Sequence, residues 1–108
     1  LKEALVLGEV LSYLKTRKDV LAWRNNTGGA SYRGRFVKYG CQGSADVLAC
    51  WRGKMVAIEC KGTSGSQSPD QKRWQAKLEA AGGVYLLVRD AAEVEAWLDA
   101  QEAQEEAP

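Results

Sequence analysis

At 108 residues the sequence is below the usual two-domain length, and its 45% hydrophobic and 27% charged residues are those of an ordinary globular protein. A formal net charge of +1 excludes bulk polyelectrolyte character, so any affinity for a polyanion must be local. Histidine is absent, and Cys41, Cys50 and Cys60 fit neither a disulfide framework nor a zinc spacing; His-based triads, zinc hydrolases and His–metal nucleases are excluded, and chemistry falls to carboxylates and amines. No apolar run approaches a membrane span and no secretory signal is visible, so a cytoplasmic protein is expected.

In chain order, Leu7, Val10, Leu11 and Leu14 recur at helical spacing between Lys2 and Lys15, and Lys15, Arg17 and Lys18 suit the C-terminus of that helix. Val20 to Arg24 reads as a short strand, Asn25 to Gly29 as a turn, and Gly34 to Tyr39 as a second short strand or ribbon. Asp46 to Trp51 and Lys54 to Lys61 are rich in Val, Ile, Leu and Cys and flank Arg52-Gly53, the pattern of a β-hairpin. Ser68-Pro69-Asp70-Gln71 is a capping box that opens a helix to about Ala81, closed by Gly82-Gly83. Val84 to Val88 is a buried strand, and Ala91 to about Gln101 a last helix anchored by Val94, Trp97 and Leu98. The expected domain is therefore residues 1–101, with 102–108 an acidic, disordered tail. The pattern is α/β, a mixed central sheet flanked by helices. Trp74 and Trp97 are expected in the core, with Trp23 the exception.

The hairpin turn has a chemical consequence. With Arg52 and Gly53 as the two loop residues, Trp51 opposes Lys54 and Asp46 opposes Glu59. Side chains alternate, so Asp46, Glu59 and Lys61 share one face while Val47, Ala49, Val56, Ile58 and Cys60 fill the other. Two opposed carboxylates stand roughly 5 Å apart and repel unless a cation, a proton or a lysine compensates. Mg²⁺ or Mn²⁺ would take such oxygens, and Lys61 on the same face would serve the attacking water. Glu3 lies on the inward stripe of the first helix, where it is either a further ligand or an end frayed into water; Glu9 points away.

Between Arg24 and Lys61 seven bases (Arg24, Arg33, Arg35, Lys38, Arg52, Lys54, Lys61) face only two acids, Asp46 and Glu59, with Trp23, Tyr32, Phe36 and Tyr39 interleaved. That is the composition of a surface meeting phosphates and bases, against the plainer reading of a solvated face. Arg24, Asn26, Arg33, Arg35 and Lys38 are the candidate DNA contacts, although turn formation explains Asn26 equally well.

Gly43-Ser44-Ala45-Asp46, Glu59-Cys60-Lys61 and Ser68-Pro69-Asp70-Gln71, in this order, resemble the PD-(D/E)XK nuclease superfamily and within it the VRR-NUC family. The resemblance spans Glu3 to Val88 and implies a restriction-endonuclease-like core in the order α-β-β-β-α-β-α. It further implies metal binding by Asp46, Glu59 and the Cys60 carbonyl, with Glu3 as the first-helix acid, Lys61 serving the water and Gln71 supporting the site. Ala45 stands where the family pattern usually has proline, which loosens a turn without removing a ligand. Single-domain members are expected to cut branched DNA such as Holliday junctions as homodimers, with Mg²⁺ or Mn²⁺ and 5′-phosphate products. The alternatives are a non-catalytic DNA-binding module on the same fold, and strand-edge charges neutralised by Lys61 with Gln71 merely capping its helix.

Overall fold

The computed structural model describes residues 1–106. The elements are α1 (Glu3–Lys15), β1 (Val20–Arg24), β2 (Gly28–Tyr32), β3 (Arg35–Tyr39), β4 (Val47–Trp51), β5 (Lys54–Cys60), α2 (Pro69–Ala80), β6 (Val84–Val88) and α3 (Ala91–Glu106). Four strands form a mixed sheet in the order β1-β4-β5-β6, and β2-β3 is a separate two-stranded ribbon. With the ribbon set aside, the order is α-β-β-β-α-β-α. β1, β4 and β5 pair antiparallel; β5 and β6 are parallel, joined by α2 as a crossover.

The period-two pattern of β4 and β5 sends side chains into two cores. On one face Val47, Ala49, Trp51, Val56, Ile58 and Cys60 meet Val6, Val10 and Leu14 of α1 and Val94 and Leu98 of α3. On the other, Ala45, Ala57 and Tyr85 pack with Leu78 of α2, and Trp74, Leu48 and Leu87 close the layer. The buried row of α1 is Val6-Val10-Leu14; Leu7 is half-buried, so the stripe is turned by one residue from the sequence reading. Trp74 and Trp97 are half-buried and Trp23 is exposed, but the tryptophan at the centre of the packing is Trp51, 1% exposed and edge-on to Trp97.

Arg52-Gly53 is the turn between β4 and β5, both residues at positive φ (49° and 80°), the left-handed pair of a type I′ hairpin. Arg33-Gly34 repeats it at the tip of β2-β3 (49° and 77°). The second hairpin corrects the sequence reading: Gly28 and Gly29 are not turn but strand, paired with Tyr39 and Lys38. α3 also departs from expectation, running to Glu106 instead of stopping near Gln101. Arg17 pairs with Glu102 and Arg52 with Glu105, so cations of the body hold an acidic last turn that the helix dipole alone disfavours. Residues 102–106 are therefore helical, and the remainder of the expected tail, 107–108, lies outside the described residues. The three cysteines are free. Among the described residues no helix is long and apolar enough to cross a membrane.

Candidate metal centre

The site forms at one end of the sheet, where β1, β5 and β6 finish and β4 begins; the N-termini of α1 and α2 reach the same end. The β4–β5 pairing follows the expected register down to Val47↔Ile58. The next pair would be Asp46 and Glu59, but β4 has ended there. The side chain of Asp46 takes over, its Oδ2 accepting the free Cys60 N–H at 2.9 Å. On an extended strand a residue's N–H and C=O face the same neighbour, so the Cys60 carbonyl is turned to the Asp46 side as well.

Asp46 is itself fixed from outside. Asn25 donates its backbone N–H to the Asp46 carbonyl at 2.7 Å and its side-chain amide to Ser44 Oγ (2.7 Å) and the Ala45 carbonyl (3.0 Å). Sequence reasoning passed over Asn25 as a turn residue and chose its neighbour Asn26, which is exposed. Nothing local distinguishes the two asparagines; the register of β1 on β4 does, by setting position 25 beside Asp46. Ala45 is fully buried in the second core.

Glu59 is 1% exposed, and its two oxygens differ. Oε2 accepts from Gln71 Nε2 at 3.2 Å and lies 3.7 Å from Lys61 Nζ. Oε1 is buried with no hydrogen-bond partner among the described residues. Burial, reinforced by the Asp46 charge, pushes Glu59 up to about 8; Lys61 opposes the rise. The Cys60 thiol is pushed up to about 12, chiefly by burial, so it is a packing group and no nucleophile.

Glu3, although exposed, has a carboxylate oxygen in a cluster with Asp46 and Glu59 in which the ligand atoms all lie within 4.8 Å of one another. It reaches them because Thr63 N–H donates to the Leu1 carbonyl (3.1 Å), seating the start of the chain beside the exit of β5. Gln71 has two duties. Its Oε1 accepts from Ser68 N (2.9 Å) in the capping box while its Nε2 holds Glu59. The structure thus brings together Glu3, Asp46, Glu59, Lys61 and Gln71.

The five candidate DNA contacts are dispersed. Arg24 ends β1 beside the Asp46 turn, Asn26 follows in the loop, and Arg33, Arg35 and Lys38 are carried on the ribbon; all are exposed. The chain matches no protein-family model and no curated protein sequence.

Proposed function

We propose that the chain is a divalent-metal-dependent DNA endonuclease of the PD-(D/E)XK type, similar to the VRR-NUC family, acting on branched DNA such as a Holliday junction as a homodimer. The observation that carries this reading is Glu59, a buried carboxylate with an orphaned Oε1, clustered with the carboxylates of Asp46 and Glu3. Such a group is costly as an anion without a counter-ion, and Lys61 offsets it from one side only. Three carboxylate oxygens within 4.8 Å of one another are a donor set that a hard divalent cation would take. The α-β-β-β-α-β-α order supports the same reading.

Asp46, Glu59 and the Cys60 carbonyl would hold Mg²⁺ or Mn²⁺, with Glu3 completing the oxygen set. Bound there, the ion supplies charge neutralisation at the scissile phosphate and a more acidic water. The protein's own groups do the rest. Asp46 is held by the Cys60 N–H and by Asn25 through its backbone, so its free oxygen has a fixed direction. Gln71 fixes the rotamer of Glu59. Lys61 Nζ, facing the same space, orients the attacking water and stabilises charge on the phosphate. Arg24, beside the Asp46 turn, is placed to hold the DNA backbone, and the ribbon's cations extend that surface.

The test is cleavage of labelled four-way junction, fork, single-stranded and duplex DNA with Mg²⁺, Mn²⁺ or EDTA, by the wild type and Asp46→Ala. Metal-dependent cutting that the substitution abolishes is the expected result. Binding without cutting in any metal would remove the enzyme and leave the DNA-binding module.

A further inference from the structure

Every residue of β2 and β3 is exposed. An isolated two-stranded hairpin is marginal in water. This one has a local source of order. Phe36, opposite Ser31, folds diagonally across the ribbon into the space where a Gly29 side chain would stand, and the Tyr39 ring occupies that of Gly28, its Oη 2.9 Å from where a Cβ would be. Each ring thus rests one side on bare backbone, yet Phe36 stays 67% and Tyr39 51% exposed. The two rings come down to a cavity of about 220 Å³ at the root of the ribbon, lined also by Thr27, Lys38 and Gln42. Gln42 spends its amide N–H on Asp70 Oδ2, which leaves its carbonyl oxygen free to accept.

From Val20 to Ala45 the chain carries Arg24, Arg33, Arg35 and Lys38 and no acid. A second copy seated ribbon to ribbon would set these cations against their like. A polyanion with planar groups satisfies both the charge and the open ring faces. We propose that the cavity and the two rings form a binding site for an unpaired nucleotide, its base stacked on Phe36 or Tyr39 and its phosphate on Lys38, the cation that lines the same cavity. The chain runs directly from this site through Gln42 and Ser44 to Asp46, so a strand held there is led toward the carboxylates. The inference rests on the reading of the chain as a nucleic-acid enzyme, and supplies that enzyme with a preference for unpaired bases next to the cut.

The test separates binding from cleavage. Fluorescence anisotropy of labelled oligo-dT and of a duplex of equal length is measured in EDTA, for the wild type, Phe36→Ala/Tyr39→Ala and Phe36→Trp. Removing both rings should weaken oligo-dT binding by about tenfold or more, leave duplex binding within about threefold, and spare the melting temperature of the body, since both rings lie outside the two cores. Phe36→Trp should match or exceed wild-type oligo-dT binding. Equal affinity of wild type for the two DNAs, or ring removal without effect on oligo-dT, overturns the proposal. So does a shift from dimer to monomer in the double variant with binding unchanged, which would give the ribbon to a second copy. Failure of the wild type to cut any DNA would sink the nuclease reading without touching this result.

Discussion

Lys61 Nζ stands 3.7 Å from Glu59 Oε2, and both side chains are buried. One ammonium does not hold Glu59 in the usual carboxylate range: burial and Asp46 push it up to about 8 from an ordinary 4.5. Between those values the folded protein keeps a proton that the unfolded chain has released, so stability falls as pH rises through this window. In EDTA the melting temperature should be higher at pH 5 than at pH 8, the whole effect being on the order of a few kcal/mol. Mg²⁺ should recover the loss at pH 8, because it binds the ionised cluster of the folded state alone. Glu59→Gln should flatten both responses. Thermal melts across this range check it; a wild-type profile that is flat, or that Glu59→Gln leaves sloping, contradicts the assignment.

Gln71 caps α2 and holds Glu59 with opposite ends of one amide. Gln71→Glu separates the duties. A carboxylate still accepts from Ser68 N, so the capping box survives. It also puts a second anion against Glu59 Oε2, where an N–H stood. Metal-dependent cleavage should fall by roughly tenfold or more, with its rise on the pH axis moved to higher pH. If capping were the only duty, the variant would cut like the wild type.

Gly62 lies under the start of the chain: a Cβ there would be 2.6 Å from the Leu1 carbonyl oxygen and 3.1 Å from Glu3 N. The loop below is braced, since the Arg89 guanidinium donates to the carbonyls of Gly62, Thr63 and Gly65. Gly62→Ala should therefore lift Glu3 off the cluster. Titration with Mn²⁺ should show affinity reduced by about tenfold, as in Glu3→Gln, and the double variant should be no weaker than either single one. Additive losses would mean that Gly62 acts elsewhere.

The parts of the site legible in the sequence are those set by local rules. The β4–β5 register followed from Arg52-Gly53, and with it the approach of Asp46 to Glu59; the capping box marked the start of α2. The ribbon was half-read because Gly28-Gly29-Ala30-Ser31 has none of the β-branched or aromatic side chains that identify a strand. Its rings come from β3, across the ladder. Arg33-Gly34, the same dipeptide as Arg52-Gly53 between β4 and β5, was the available signal. Asn25 and the Glu3 position depend on pairings between distant segments, β1 on β4 and Thr63 on Leu1. No periodicity within either segment encodes them.

Trp51 tests whether fold and site are separable. It closes β4 at the end of the sheet away from Asp46, 1% exposed, edge-on to Trp97 at a centroid distance of 5.7 Å. Its Nε1 donates to Asp19 Oδ2 at 3.1 Å, and Arg17 Nε donates to Oδ1 of the same carboxylate at 2.9 Å. Trp51→Phe keeps most of the packing and leaves Asp19 its arginine, so its cost should be about 1–3 kcal/mol, that of one charge-assisted hydrogen bond and some volume. Trp51→Ala should cost about 3–5 kcal/mol, a large fraction of the 5–15 kcal/mol typical of a domain. Urea denaturation should show the midpoint falling in that order with the slope unchanged. In the same Trp51→Phe protein, Mn²⁺ affinity should stay at the wild-type value, because the cluster is held by Asn25, Cys60, Gln71 and the 62–65 loop and by nothing at the Trp51 end. A parallel loss of metal affinity would show that the carboxylates depend on the packing of the whole sheet instead of on those four anchors.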